Sequence, residues 1–180
     1  MGQVSPPLQA YFDQLTNKAI SILIPGCGNA YEATHLLEKG FTSVTLVDIS
    51  AVLIAKLNEK FRDQPYRGLT LIAADFFELS DGYDLIVEQT FFCALDPSLR
   101  SSYVQQAYDL LRPGGKLVGL LFDRDFIGDG DSPGGPPFGG NMEEYRQLLE
   151  KRFVIKTLQA CYNSIGPRAG TELFFIAEKL

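Results

Sequence analysis

The chain has 180 residues, 46% of them hydrophobic and 21% charged, and 22 acidic against 16 basic side chains give a net charge of −6. This balance suits one globular domain with a substantial core and excludes a disordered chain. The acidic surplus argues against polynucleotides and anionic membranes as partners. Three scattered cysteines, Cys27, Cys93 and Cys161, and the single histidine, His35, argue against a disulfide framework, a metal site and a Ser-His-Asp hydrolase.

No apolar stretch reaches the ~20 residues of a membrane helix. The opening MGQVSPP lacks the basic-then-apolar order of a secretory leader, and Pro6 stands where a myristoylation signal needs Ser or Thr. A cytoplasmic protein is the expectation.

Residues 5–17 form an amphipathic helix with proline in its first turn and Leu8, Phe12 and Leu15 on one face, expected to pack near the turn after the first strand. That strand, residues 21–24, meets Pro25-Gly26-Cys27-Gly28, where glycine permits a tight bend and close approach of a ligand that any Cβ would block. A helix over 30–39 is closed by Gly40, and a second strand over 43–47 ends on the lone carboxylate Asp48. Strand, glycine turn, helix, strand and terminal acid make a βαβ unit suited to a nucleoside, since an acid about 20 residues past the turn can accept from both ribose hydroxyls. The dinucleotide fingerprint asks for a third small residue, and Tyr31 occupies that place. The unit therefore favours a cofactor without a pyrophosphate. His35 reads as a partly exposed residue inside the first of these helices.

Ser50 caps a helix through Arg62, with Leu53, Leu57 and Phe61 spaced for burial. Residues 69–73 are a third strand leading to Ala74-Asp75-Phe76-Phe77, and residues 83–88 a fourth leading to Thr90-Phe91-Phe92-Cys93. Asp96 and Pro97 open a helix to Leu111, stopped by Arg112-Pro113-Gly114-Gly115. A fifth strand spans 116–122, and the Gly-, Pro- and Asp-rich stretch 123–140 is a loop of the length that is usually functional or disordered. A helix over 141–150 and strands over 153–159 and 172–178, joined around 165–170, complete the chain. Five strand-helix alternations imply a parallel sheet covered on both faces, and the final strand pair implies one antiparallel member. With no repeat or linker, residues 1–180 are read as one domain.

These residues resemble the class I S-adenosylmethionine-dependent methyltransferases, and more narrowly the thiopurine S-methyltransferase type with its thiol and halide methyltransferases. The likeness is carried by Ile24-Pro25-Gly26-Cys27-Gly28 with Asp48-Ile49-Ser50, by Asp75-Phe76-Phe77, by Glu88-Gln89-Thr90-Phe91-Phe92-Cys93-Ala94-Leu95-Asp96-Pro97 with Arg100, and by Gly134-Gly135-Pro136-Pro137-Phe138. The resemblance implies a Rossmann-like α/β methyltransferase fold: a seven-stranded, mostly parallel sheet with its last strand antiparallel and helices on both faces. It implies S-adenosyl-L-methionine across the C-terminal edge of the strands and S-adenosyl-L-homocysteine as product.

Carried over by position, Gly26 and Gly28 would lie against the methionine part and Asp48 would take the ribose. Asp75 and Phe76 would hold the adenine, and Glu88 and Gln89 would reach the methionine end near the acceptor. Cys27 and Ile49 are further cofactor-binding positions; Phe92, Arg100 and Phe138 are the acceptor-site candidates. The family often carries aspartate where Glu88 stands and arginine or tyrosine at Gln89, which leaves the acceptor open. Family chains also carry a longer N-terminal segment with tryptophans that folds over the cofactor. This sequence has no tryptophan, so the chain is read either as shortened at its lid or as a naturally short relative.

The implied reaction is methyl transfer to a small soft nucleophile, a thiol, hydrogen sulfide or a halide. A thiol ionises near pH ~8.5 and is then strongly nucleophilic, so a general base helps little, in keeping with the lone histidine. Phe76, Phe77, Phe91 and Phe92 are read either as the wall of an apolar pocket, one ring beside the sulfonium, or as core. Cys27 and Cys93 read as small packing residues. Expected partners are a small-molecule acceptor and neither nucleic acid nor membrane, with the chain a monomer. Two other readings stay open: a module that senses the cofactor without catalysis, and a nicotinamide-dependent oxidoreductase, which Tyr31 disfavours.

Overall fold

The computed structural model describes residues 2–124 and 135–180; Met1 and the middle of the long loop, with Gly134 of the resemblance, lie outside the described residues. In chain order the elements are α1 (Pro6–Phe12), β1 (Ile22–Pro25), α2 (Tyr31–Glu38), β2 (Val44–Asp48), α3 (Ala51–Phe61), β3 (Leu69–Ala73) and β4 (Tyr83–Gln89). They continue with α4 (Arg100–Leu110), β5 (Leu111–Phe122), α5 (Met142–Leu149), β6 (Val154–Ala160) and β7 (Glu172–Glu178).

The strands form one seven-stranded sheet in the order β3-β2-β1-β4-β5-β7-β6. β1 pairs in parallel with β2 and β4, β2 with β3, and β4 with β5. β7 runs antiparallel to both neighbours. The inner strand β1 is buried along its whole length, as a parallel strand with both faces covered must be. Its side chains alternate: Ile22 and Ile24 join Leu8, Phe12, Leu36 and Leu57 from α1, α2 and α3, whereas Leu23 joins Tyr103, Leu110 and Tyr145 from α4 and α5. After β1 the chain winds outward through β2 to β3, then returns to the other side of β1 as β4. The crevice between the C-terminal ends of β1 and β4 is therefore the point where the winding reverses, and ligands of doubly wound sheets bind there.

Several boundaries differ from the sequence expectation, each for a local reason. α1 stops at Phe12 because Asp13 is tied to α2, taking bonds from His35 Nε2 at 3.1 Å and Lys39 Nζ at 3.0 Å. The expected helix from Asp96 begins as a 3-10 turn, Pro97–Leu99, with the Asp96 carboxylate accepting from the Ser98 amide and hydroxyl at 2.9 and 2.6 Å. β5 starts at Leu111 rather than 116, since Leu111 pairs with Tyr83 and a register shift before Leu85 absorbs Pro113 and Gly114. At the outer edge, Gly68 (φ +77°) lets β3 start beside β2: a Cβ there would fall 1.6 Å from the Thr42 carbonyl oxygen. Among the described residues no helix is long and apolar enough to cross a membrane.

Candidate cofactor and acceptor site

Two backbone turns meet at the reversal point. After β1, Gly26 and Gly28 adopt left-handed conformations (φ +56° and +48°). A Cβ on Gly26 would lie 2.4 Å from Phe91 Cδ2, so glycine is required there first by the ring resting on it. At Gly28 a Cβ would meet nothing within 4 Å, and the left-handed backbone is what selects glycine. After β4, Thr90 is left-handed as well (φ +62°), a conformation that costs a non-glycine residue about 1 kcal/mol or more and needs support from its surroundings.

Glu88 supplies that support. Its side chain is fully buried; Oε1 accepts from the amides of Phe91 and Phe92, both at 2.8 Å, and Oε2 accepts from the Tyr103 hydroxyl at 2.8 Å. Burial pushes its carboxyl up to about 7, against the three donors that hold it down. Gly119 on β5 leaves the room, since a Cβ there would sit 2.4 Å from that of Glu88. The carboxylate thus fastens the turn from the inside and lines neither of the clefts described next.

The larger cleft, of about 540 Å³, opens between the ends of β1, β2 and β3 and the segment after β4, with Gly26, Asp48, Ile49, Asp75, Phe76, Phe77, Thr90 and Phe91 among its walls. One oxygen of Asp48 accepts from the Ser50 amide at 2.9 Å, and among the described residues the other takes no hydrogen bond. Asp75 caps the 3-10 turn Phe76–Glu78 by accepting from the Phe77 amide at 2.9 Å. Ile49 stands on the rim with 77% of its surface exposed. The Phe76 ring is largely buried, stacked on Tyr103 at 5.4 Å and edge-on to Phe77 and Phe91. A smaller cleft of about 280 Å³ lies on the other side of Gly26 and Thr90, which belong to both; Cys27, Gly28, Tyr31, Glu32, Gln89 and Arg168 line it.

Eight of the nine sequence-predicted cofactor positions therefore line one cleft or the other, and Glu88 stands behind them. The acceptor candidates line neither. Phe92 is packed between Tyr103 and Tyr145, with ring centres 5.2 and 5.8 Å away. The Arg100 side chain is almost wholly buried, 5.1 Å over the Phe92 ring; it donates to the Glu144 carboxylate and, at 2.6 Å, to the Gly139 carbonyl. Phe138 is half-buried, its amide donating to the Cys93 carbonyl at 2.6 Å. Arg100 thus braces α4 against α5 and residue 139, because a guanidinium on that helix face is reached by two acceptors at once.

Burial, with the neighbouring Asp48 charge, pushes the Cys27 thiol up to about 12, and burial does the same for Cys93. Both stay protonated at neutral pH, in keeping with packing roles. Among the described residues no group of three His, Cys, Asp or Glu is placed to hold a metal ion. Sequence reasoning missed Glu32 and Arg168. An acid in the first turn of α2 was a visible signal for Glu32. Arg168 had none, because only the reversed β6–β7 connection carries it to the glycine turn.

The chemistry of this donor set fits an adenosyl sulfonium. The larger cleft combines the carboxylates Asp48 and Asp75 with apolar walls, and the smaller one adds a polar end.

The family model described as thiopurine S-methyltransferase matches residues 1–178. A probable thiol methyltransferase 2 of Arabidopsis thaliana is 33% identical over 83% of this chain and 66% of its own length. Thiocyanate methyltransferase 1 of the same plant is 28% identical over 95% of this chain and 74% of its own, and a thiopurine S-methyltransferase of Vibrio cholerae 28% over 83% and 73%. The chain thus spans about two thirds to three quarters of these relatives. In fold it is similar to a SAM-dependent methyltransferase of Methanosarcina mazei (TM-score 0.75, 21% identity, 99% of both chains). It is also similar to the magnesium protoporphyrin IX methyltransferase of Synechocystis with bound SAM (TM-score 0.77, 16% identity, 97% of this chain and 77% of that one). With the family model covering all but the last two residues, and the sheet order that of the methyltransferase fold, the chain belongs to the thiopurine S-methyltransferase family of S-adenosylmethionine-dependent methyltransferases.

Proposed function

We propose that this chain binds S-adenosylmethionine across the two clefts and transfers its methyl group to a small soft nucleophile: a thiol, hydrogen sulfide or a halide. One observation carries the reading. The clefts share Gly26 and Thr90 at the reversal point of the sheet, the larger flanked by Asp48 and Asp75 and the smaller by Gly28 and Gln89. A ribose suits the free oxygen of Asp48, and an adenine suits the space between exposed Ile49 and the 3-10 turn capped by Asp75. The relatives named for thiol and thiocyanate methylation support the choice of acceptor.

When bound, that cofactor supplies a methyl group on a cationic sulfur, already activated toward displacement. The protein's own task is then to position and to exclude water. Phe91, seated on Gly26 and with its amide held by Glu88, forms an apolar wall of the larger cleft. No base is required of the chain, since a thiol acceptor ionises near pH ~8.5 and a halide carries no proton.

The test incubates the protein with methyl-labelled cofactor and, separately, iodide, thiocyanate, bisulfide and an aromatic thiol. Labelled methyl product from at least one is expected. A chain that binds the cofactor yet methylates none of the four would overturn the catalytic reading.

A further inference from the structure

The wall of the larger cleft that carries Asp75 is gripped from behind by α4, through Gln106. That wall is the 3-10 turn Phe76–Glu78, which follows β3, and β3 is an edge strand paired with β2 alone. The sheet therefore holds the turn from one side only. Its own closing bond, from the Leu79 amide to the Phe76 carbonyl, is long at 3.4 Å and correspondingly weak. Gln106 makes good the deficit. Its side-chain nitrogen donates to the Phe76 carbonyl at 3.1 Å and to the Leu79 carbonyl at 2.9 Å, one at each end of the turn, which commits both of its protons. Tyr103, one helical turn before Gln106, adds a ring stacked on Phe76. At the head of the turn one Asp75 oxygen accepts from the Phe77 amide at 2.9 Å, and among the described residues the other takes no hydrogen bond.

We infer that Gln106 is a positioning residue for base selectivity: by pinning both ends of the turn it holds the free Asp75 oxygen where the amino group of an adenine donates to it. The inference rests on the cofactor reading above and adds to it a residue that lines neither cleft and acts only through the turn. A carboxylate accepts and cannot donate, so an amino group on the base pairs with it and an oxo group in the same place is repelled. That discrimination needs a fixed carboxylate. A turn free to shift lets the carboxylate swing away from the oxo group at little cost, and the two bases then bind alike.

Calorimetry with S-adenosylhomocysteine and with S-inosylhomocysteine reads this directly, since the two differ only in the amino or oxo group of the base. The unaltered chain should prefer S-adenosylhomocysteine by about tenfold or more. Gln106→Leu, which fills similar space on the helix without a donor, should weaken S-adenosylhomocysteine by about fivefold and leave S-inosylhomocysteine within about twofold. Gln106→Glu keeps the side-chain length but, once ionised, has no proton to give, and should lose selectivity likewise. In an Asp75→Ala chain, with no carboxylate to aim, Gln106→Leu should leave the ratio of the two affinities unchanged. Equal weakening of both ligands by Gln106→Leu would show a general packing role, and undiminished selectivity would show that the turn holds without the side chain. Either result overturns the inference and leaves the cofactor reading standing, as does an unaltered chain that binds the two ligands equally. Failure of the unaltered chain to bind either ligand would instead overturn the cofactor reading, and this inference with it.

Discussion

Replacing Glu88 tests the core of the site most sharply, because the two informative substitutions act in different directions. Glu88→Ala removes the acceptor for the amides of Phe91 and Phe92 and for the Tyr103 hydroxyl, all in a position closed to water. Each orphaned buried donor costs about 1–3 kcal/mol, so a net loss of roughly 4 kcal/mol is expected once relief of the buried charge is counted. Glu88→Gln keeps the shape, its amide oxygen able to accept from both backbone amides and its nitrogen to donate to Tyr103. It differs from glutamate only in being unable to ionise.

Burial raises the Glu88 carboxyl from 4.5 to about 7 in the folded chain. Its contribution to stability is then full below pH 4.5 and lost as pH rises through 7, since the unfolded chain releases that proton first. At ~1.4 kcal/mol per unit the loss is roughly 3 kcal/mol, and the glutamine variant should not suffer it. Urea unfolding of both proteins from pH 5 to pH 8, at unchanged slope, reads the difference directly. Stability should shift in favour of Glu88→Gln across that range. Parallel pH curves would refute the reasoning and mean that the three donors outweigh burial and keep the carboxylate charged throughout.

Two further outcomes are expected. Asp48→Ala should weaken S-adenosylmethionine binding at least tenfold, the ~1.4 kcal/mol or more that charge-assisted hydrogen bonds to the ribose supply, and wild-type affinity in that variant would dismiss Asp48 as the sugar's partner. Gly68→Ala should lower thermal stability by more than about 2 kcal/mol, because a Cβ 1.6 Å from the Thr42 carbonyl forces β3 away from β2; an unchanged melting temperature would contradict that close approach.

Much of the fold was legible because its signals are local. Strand, glycine turn, helix, strand and Asp48 lie within one short span of chain, and backbone sterics tie the turn to the start of the helix whatever surrounds them. The parallel sheet covered on both faces followed from alternation, and the reversed last strand from two strands in direct succession; the strand order did not. The same locality put Gly26, Gly28, Asp48, Ile49, Asp75 and Gln89 at strand ends, and hence along the edge where the clefts open.

The direction in which a strand-end side chain points was decided elsewhere. Glu88 turns inward because Tyr103 on α4 offers a hydroxyl and Gly119 on β5 leaves space, neither readable from the residues around Glu88. Arg100 is claimed by Glu144 and the Gly139 carbonyl, roughly forty residues away, and so braces two helices rather than lining a cleft. Arg168 stands at the glycine turn only because β7 reverses beside β5. Sequence determined which chemistry gathers along the sheet's edge, since spacing along a strand or turn is a local property. Tertiary structure decided which of those groups face the clefts and which hold the clefts in shape, since long-range packing chooses the partner each charge can reach.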